Sequence, residues 1–207
     1  MAMPQAIRRP TEAEYLEGER LAEFKSEFHD GEVFAMEGGT VWHSLISSNA
    51  IREIGLGLKG GPCRVFNSDL RLKVEATGLI TYPDLSVVCG QVRYLPGTDD
   101  TLTNPILLVE VLSDSTEAYD RGTKFRNYRQ IPTLREYLLV SQKEPRIEQF
   151  VLQDDKVWAY RVAEGLEASL ELPSLQVQLA MREVFGGVEF GESPLRPPTL
   201  SPSSPLN

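Results

Sequence analysis

The sequence predicts a single α/β domain with a central mixed sheet flanked by helices and an additional antiparallel meander toward the C-terminus. Three observations carry this expectation. Residues 106–112 form an apolar run broken only by Glu110, the pattern of a strand covered on both faces. Apolar side chains between positions 41 and 58 recur every three or four residues, as on one face of a helix. Short strand-like runs separated by turn residues fill positions 146–172.

In chain order, Thr11 with Glu14 forms a capping-box pattern that starts a short helix reaching Arg20. Runs at 24–29 and 32–36 flank Asp30-Gly31, a dipeptide suited to the positive φ angles of a tight hairpin turn. Trp42, Leu45, Ile46, Ala50, Ile51, Ile54 and Leu58 set the amphipathic helix over 41–58, and Gly55, Gly57, Gly60 and Gly61 fray its end. Extended segments follow at 63–67, 70–75 and 85–89. After the 106–112 strand, capping residues at 113–116 precede a helix over 117–130, which stops before Pro132. Residues 137–140 make another buried strand, and Asp154-Asp155 turns between two strands of the meander at 146–152, 157–162 and 168–172. A short helix over 179–184 closes the domain.

The boundaries follow from composition. The 207 residues suffice for one sizeable core but not for two. Residues 1–10 are expected as a flexible N-terminus, 11–190 as the folded domain, and 191–207 as a disordered tail, because five prolines and four serines after position 191 cannot bury enough apolar surface to offset ordering. No apolar run approaches the roughly 20 residues of a membrane span, and no export signal opens the chain, so a cytoplasmic protein with no membrane contact is expected. On the same ground Cys63 and Cys89 are expected as reduced, buried thiols.

A net charge of −9 argues against a general nucleic-acid-coating protein. The charge is uneven, however: residues 120–135 hold Arg121, Lys124, Arg126, Arg129 and Arg135 against the single acid Asp120, a strip compatible with a phosphate-bearing ligand. The chain has no GxSxG elbow, HExxH pair or GxxxxGK[ST] loop, and two histidines exclude a histidine-rich metal site.

Glu110 carries the chemistry. A carboxylate among aliphatic neighbours in a core strand must be neutralised or protonated. Two readings follow: a buried ion pair with Lys124 or Arg121, or a metal ligand. Asp84, pinned after Pro83 at the start of the strand at 85–89, supplies a second acid, and two carboxylates suit a hard cation such as Mg²⁺. Alone, Pro83-Asp84 is an ordinary turn dipeptide. Asp120, Lys124 and Tyr128, four apart, share one helix face. They are either a surface ion pair and its neighbour or a face turned back toward the strand end.

The ordered series Tyr82-Pro83-Asp84-Leu85-Ser86-Val87-Val88, Val109-Glu110-Val111-Leu112-Ser113-Asp114-Ser115-Thr116, Tyr119-Asp120-Arg121-Gly122-Thr123-Lys124-Phe125 and Arg135-Glu136-Tyr137 resembles the Uma-two family of restriction endonuclease-like proteins, within the PD-(D/E)XK nuclease superfamily. The likeness runs from about residue 11 to 190. It implies a restriction endonuclease-like fold in which Asp84 and Glu110 bind Mg²⁺ or Mn²⁺ as the two acids of the motif. The superfamily's lysine two positions after the second acid is here Leu112, and the resemblance implies Lys124 in its place. Glu32 and His43 occupy positions similar to supporting residues of the family, as does Asp120. Outside the resemblance, Glu32 reads as a solvated hairpin residue and His43 as a helix-surface or capping residue. Asp69 lies opposite Leu70 and Leu72 in the alternation and reads as solvated.

The expected function is metal-dependent endonucleolytic hydrolysis of DNA by Asp84, Glu110 and Lys124, with Arg121, Arg126 and Arg129 contacting the backbone. A homodimer would suit cleavage of both strands. The alternative is a nuclease fold that binds nucleic acid or a partner without cutting, and a third is hydrolysis of another phosphoester.

Overall fold

A computed structural model describes residues 9–191. The flexible N-terminus expected over 1–10 and the tail expected over 191–207 lie, but for residues 9, 10 and 191, outside the described residues.

Helix α1 (Glu12–Glu19) opens with the capping box: Glu14 N donates to Thr11 Oγ1 at 3.3 Å and Thr11 N to Glu14 Oε2 at 2.8 Å. It buries Tyr15 and Leu16. Strands β1 (Ser26–His29) and β2 (Glu32–Ala35) form the hairpin, with Asp30 and Gly31 at φ 52° and 77°, as a two-residue turn of this hand requires. Helix α2 (Val41–Gly57) is capped by Thr40, whose hydroxyl accepts from His43 N at 3.0 Å. Then come β3 (Cys63–Asn67), β4 (Arg71–Lys73), β5 (Ile80–Thr81), β6 (Leu85–Cys89), β7 (Thr101–Leu102) and β8 (Leu107–Val111).

The helix expected over 117–130 is present but not uniform. It runs as α3 (Glu117–Tyr119), a π-helical turn (Asp120–Lys124) and α4 (Phe125–Tyr128). Strand β9 (Glu136–Val140) returns beside β8. The chain ends in β10 (Arg146–Leu152), β11 (Trp158–Glu164), β12 (Ser169–Leu172), β13 (Val177–Ala180) and α5 (Met181–Val184). The C-terminal antiparallel strands are divided between two sheets. β10 and β11 extend the main sheet, while β12 pairs with β13, whose residues the periodicity had in part assigned to the final helix.

The main sheet has the order β11-β10-β9-β8-β6-β3, and it is mixed because β8 and β9 run parallel while the other pairs are antiparallel. A second, five-stranded sheet has the order β2-β1-β5-β4-β7. The alternation of β8 splits the core. Leu107, Val109 and Val111 face Ile46, Ala50 and Ile54 of α2 together with the β12–β13 hairpin. Leu108 and Leu112 face the opposite way, toward Tyr128 of α4, Leu72 and Leu102 of the second sheet, and Val74 and Leu79 from the turn between β4 and β5. Glu110, midway between Leu108 and Leu112, therefore points into this second layer, and the helical segment 117–128 lies over it.

One expectation is overturned. Cys63 and Cys89 are not reduced thiols: they stand opposite each other across β3 and β6 and form a disulfide. Direct cross-strand opposition brings the two side chains together once the register is set, and spacing in the sequence does not disclose that register.

Candidate active site

The β6–β8 register brings the two acids together. Leu85 pairs with Val109 and Ser86 with Leu108, so the next step along the ladder sets Asp84 opposite Glu110. Both fall on the face of the sheet that holds Val88 and Leu108. Asp84 is fixed from two sides: its Oδ2 accepts from Val111 N at 2.7 Å and lies 3.1 Å from His43 Nε2. His43 sits in the first turn of α2, and the chain before it passes so close that a Cβ on Gly39 would lie 2.8 Å from the imidazole Nδ1. Burial opposes a charge on His43, but the hydrogen bond and charge of Asp84 outweigh it and hold the imidazolium above the ordinary histidine pKa.

Glu110 is 4% exposed, and its Oε1 accepts from the Tyr128 hydroxyl at 2.7 Å. Lys124 Nζ lies 3.1 Å from the same oxygen, 3.2 Å from Glu27 Oε1 and 3.4 Å from Asp120 Oδ1. A single buried ammonium thus serves three buried carboxylates. It cannot neutralise them all. Burial alone would discharge Lys124, yet its acidic neighbours keep it charged. The surplus negative charge falls on Glu110, whose carboxyl is pushed far up by burial and by Asp120 and Asp84. Burial raises Asp120 as well, against the Lys124 ammonium 3.4 Å from its Oδ1.

The π-helical turn allows this. It inserts an extra residue between α3 and α4, so that Asp120, Lys124 and Tyr128 are all buried toward the strand ends. Tyr137 of β9 anchors the turn by donating to Asp120 O at 3.2 Å.

Of the residues singled out in the sequence, Asp84, Glu110, Lys124, His43 and Asp120 converge here. Glu32 does not. Half of its side chain is exposed on the hairpin edge, where it pairs with Arg9 at 2.7 Å. The acid that reaches Lys124 from this hairpin is Glu27 of β1, which also accepts from Thr81 Oγ1. Sequence reasoning missed Glu27 because β1 looks like an ordinary hairpin strand. The available signal was alternation: Phe28 packs toward α1, which turns Glu27 to the other side. Arg121 is also outside the site. Its guanidinium grips Glu148 through two bonds of 2.6 and 2.9 Å and reaches Glu117 at 2.9 Å. Arg126 and Arg129 are exposed, Arg129 lying 5.2 Å over the Phe125 ring. Asp69 is a surface side chain paired with Lys25 at 2.6 Å. A cleft of about 330 Å³ at the carboxyl ends of β8 and β9 is lined by Ser113, Arg121, Gln142 and Glu148, and does not include Asp84, Glu110 or Lys124.

Among the described residues, no group of three or more His, Cys, Asp or Glu side chains is arranged to enclose a metal ion. The two opposed acids still suit one kind of ion. Asp84 Oδ1 and Glu110 Oε2 have no protein donor among the described residues, because the hydrogen bonds fall on the other oxygen of each. Mg²⁺ is commonly held by one or two carboxylates with water and substrate phosphate completing the shell, so a pair of free oxygens on a common face fits it. No described helix is long and apolar enough to cross a membrane.

The Uma2 family, described as "Putative restriction endonuclease", matches residues 12–182. "Uncharacterized protein slr1290" of Synechocystis sp. is 40% identical over 177 residues, spanning 86% of this chain and 92% of that protein. "Uncharacterized protein sll1609" of the same organism is 34% identical over 167 residues, or 81% and 94%. A crystal structure from Anabaena variabilis, described as "a putative nuclease belonging to DUF820", superposes with a TM-score of 0.68 over 84% of this chain and 96% of that one, at 20% identity. That likeness extends the restriction endonuclease-like reading of the fold, and the sequence match decides the lineage: this chain belongs to the Uma2 family.

Proposed function

We propose that the protein is a metal-dependent endonuclease that hydrolyses DNA phosphodiester bonds, with Mg²⁺ or Mn²⁺ held by Asp84 and Glu110. The observation that carries the reading is the opposition of these two acids across β6 and β8 with the Lys124 ammonium 3.1 Å from one of them. A cation bound there would polarise the phosphodiester and lower the pKa of an attacking water. The chain's own groups do the rest. Val111 N and His43 fix the rotamer of Asp84 and leave its second oxygen available. Tyr128 orients Glu110 in the same way. Lys124 would donate to the water or to a phosphate oxygen as charge develops there. Arg126 and Arg129, both exposed, supply cations for the backbone on a protein whose overall charge is −9.

One observation favours a second reading. Lys124 is already engaged by three carboxylates, and Leu112 occupies the place of the motif lysine, so the same fold could bind nucleic acid without cutting it. Plasmid DNA and a small phosphodiester incubated with Mn²⁺ distinguish the outcomes. We expect cleavage of DNA that is lost in both Asp84→Ala and Glu110→Ala with unchanged circular dichroism. Cleavage that survives both changes rejects the assignment. Binding without cleavage by the parent supports the second reading, and turnover of the small ester alone points to another phosphoester.

A further inference from the structure

From the outer edge of the second sheet, which pairs with no further strand among the described residues, we infer that the protein self-associates as a two-fold dimer through β2, joining the two five-stranded sheets into one. β2 is the outer strand of its sheet, and all four of its residues are exposed. The hairpin register determines which backbone groups face outward. Met36 N donates to Lys25 O at 3.0 Å, and bonded and non-bonded pairs alternate along an antiparallel ladder. Glu27–Phe34 is then a bonded pair, whereas Phe28–Val33 and Ser26–Ala35 are not. Val33 and Ala35 accordingly turn their N–H and C=O groups to the open side.

Exposed strand edges are normally blunted by charge, proline or a covering element. β2 has little of this. Its single charge is Glu32, at one end and paired with Arg9, while Val33 and Phe34 are each 48% exposed. Among the described residues, five of the eleven large exposed apolar side chains, Leu21, Phe24, Val33, Phe34 and Val41, fall within residues 21–41, the stretch of sequence that contains this hairpin. The outer strand of the main sheet, β11, also exposes Tyr160 and Val162, but it carries Arg161 at its centre, a charge that blunts the edge.

A second copy is the occupant that the pattern fits. Antiparallel pairing in which Val33 exchanges both bonds with Ala35 of the second copy sets the two Phe34 rings against each other on the two-fold axis. The same register opposes Glu32 to Met36 and not to another carboxylate, so the strand is complementary to itself in charge as well as in hydrogen bonding. Phe34 shares a face with its pair Glu27, and a two-fold axis normal to the sheet preserves that face. The two Glu27 positions then lie three strand spacings apart, about 14 Å at about 4.8 Å per spacing. Both Glu27 positions, and the Lys124 side chains they contact, then lie on one side of the joined sheet. What this placement serves rests on the function proposed above; the pairing itself does not.

Sedimentation or light scattering of the full chain tests it. The parent should be dimeric, and Phe34→Lys and Ala35→Pro should each halve the mass while keeping the parent's circular dichroism. Ala35→Pro removes only an outward N–H and spares the hairpin's own bonds. Phe34→Cys, mildly oxidised, should give a covalent dimer, which decides the matter if either other variant unfolds. A parent that is monomeric at every concentration overturns the inference, as does a dimer that persists in both variants. A dimer that Phe34→Cys does not cross-link overturns the register. Failure of the nuclease reading is separate: a dimer without cleavage defeats that reading and leaves the pairing standing, while loss of double-strand breaks with retained nicking in the monomeric variants joins the two.

Discussion

Replacing Lys124 with methionine should destabilise the protein strongly at neutral pH and less in acid. The side chain is 5% exposed and lies 3.1–3.4 Å from Glu110, Glu27 and Asp120, themselves 4%, 7% and 2% exposed. Removing one partner of a buried ion pair leaves an uncompensated charge and costs about 3–5 kcal/mol. At about 2–4 °C per kcal/mol for a chain of this size, the midpoint should fall by roughly 6–20 °C at pH 7. Protonating the stranded carboxylates relieves the penalty, so much of the loss should return near pH 5. The sign follows from linkage. A carboxyl whose folded pKa lies above its unfolded value binds more protons when folded, so stability declines as pH rises from the unfolded value through the folded one. Glu110 already behaves this way in the parent, and without Lys124 the window widens. Mn²⁺ should raise the midpoint of Lys124→Met more than that of the parent, because it replaces the missing cation. Thermal melts at pH 5 and 7, with and without Mn²⁺, measure all of this. A variant that melts within about 2 °C of the parent at pH 7 would refute the claim that Lys124 holds the acids together.

Other consequences are sharper in sign than in size. His43→Gln should flatten the stability–pH profile above pH 6.5: the raised histidine contributes fully below its unfolded pKa and loses that contribution as pH climbs through the folded value, so a parent-like profile in the variant refutes the Asp84 contact. Arg126→Ala and Arg129→Ala should each reduce the slope of log affinity against log salt by about 1, whereas Arg121→Ala, its guanidinium occupied by Glu148, should leave the slope unchanged and lower the midpoint modestly. The disulfide should leave no thiol for a labelling reagent in the native protein, and Cys63→Ala with Cys89→Ala should cost up to about 3 kcal/mol from the released loop; a midpoint unchanged by reductant would refute that contribution.

How much of this was legible in the sequence depended on the range of the interaction. The capping box at Thr11, the turn at Asp30-Gly31 and the strand around Glu110 are local, and each appears where the pattern put it. Asp84 and Glu110 could be named as acids, but their opposition needed the β6–β8 register, which sequence spacing does not encode. The Cys63–Cys89 bond required the β3–β6 register in the same way. Glu27 and Glu32 stand on facing strands of one hairpin; alternation puts Glu27 on the side opposite Phe28, but nothing local tells which side meets Lys124. That choice is made by β5, which takes Phe28 as its neighbour and brings Thr81 beside Glu27. The helix at 117–128 was visible, but its π turn was not, since it is selected by the fit of Asp120, Lys124 and Tyr128 over the sheet.

That turn also accounts for the unusual placement of the lysine. A lysine at position 112, two after Glu110 on the same strand, would project from the same face and meet the acids directly. Leu112 instead completes the apolar layer with Leu108, Leu139 and Tyr128. The cation must then come from an element that lies over the sheet, and only a helix whose face is held against the strand ends can deliver a side chain as long as lysine while keeping it buried. The cost is two buried acids, Asp120 and Glu110, whose carboxyls burial drives above their ordinary pKa, both unfavourable to folding. Three buried carboxylates around one ammonium add little to the stability of a core, and the arrangement makes physical sense if a second positive charge, brought with the substrate, completes it.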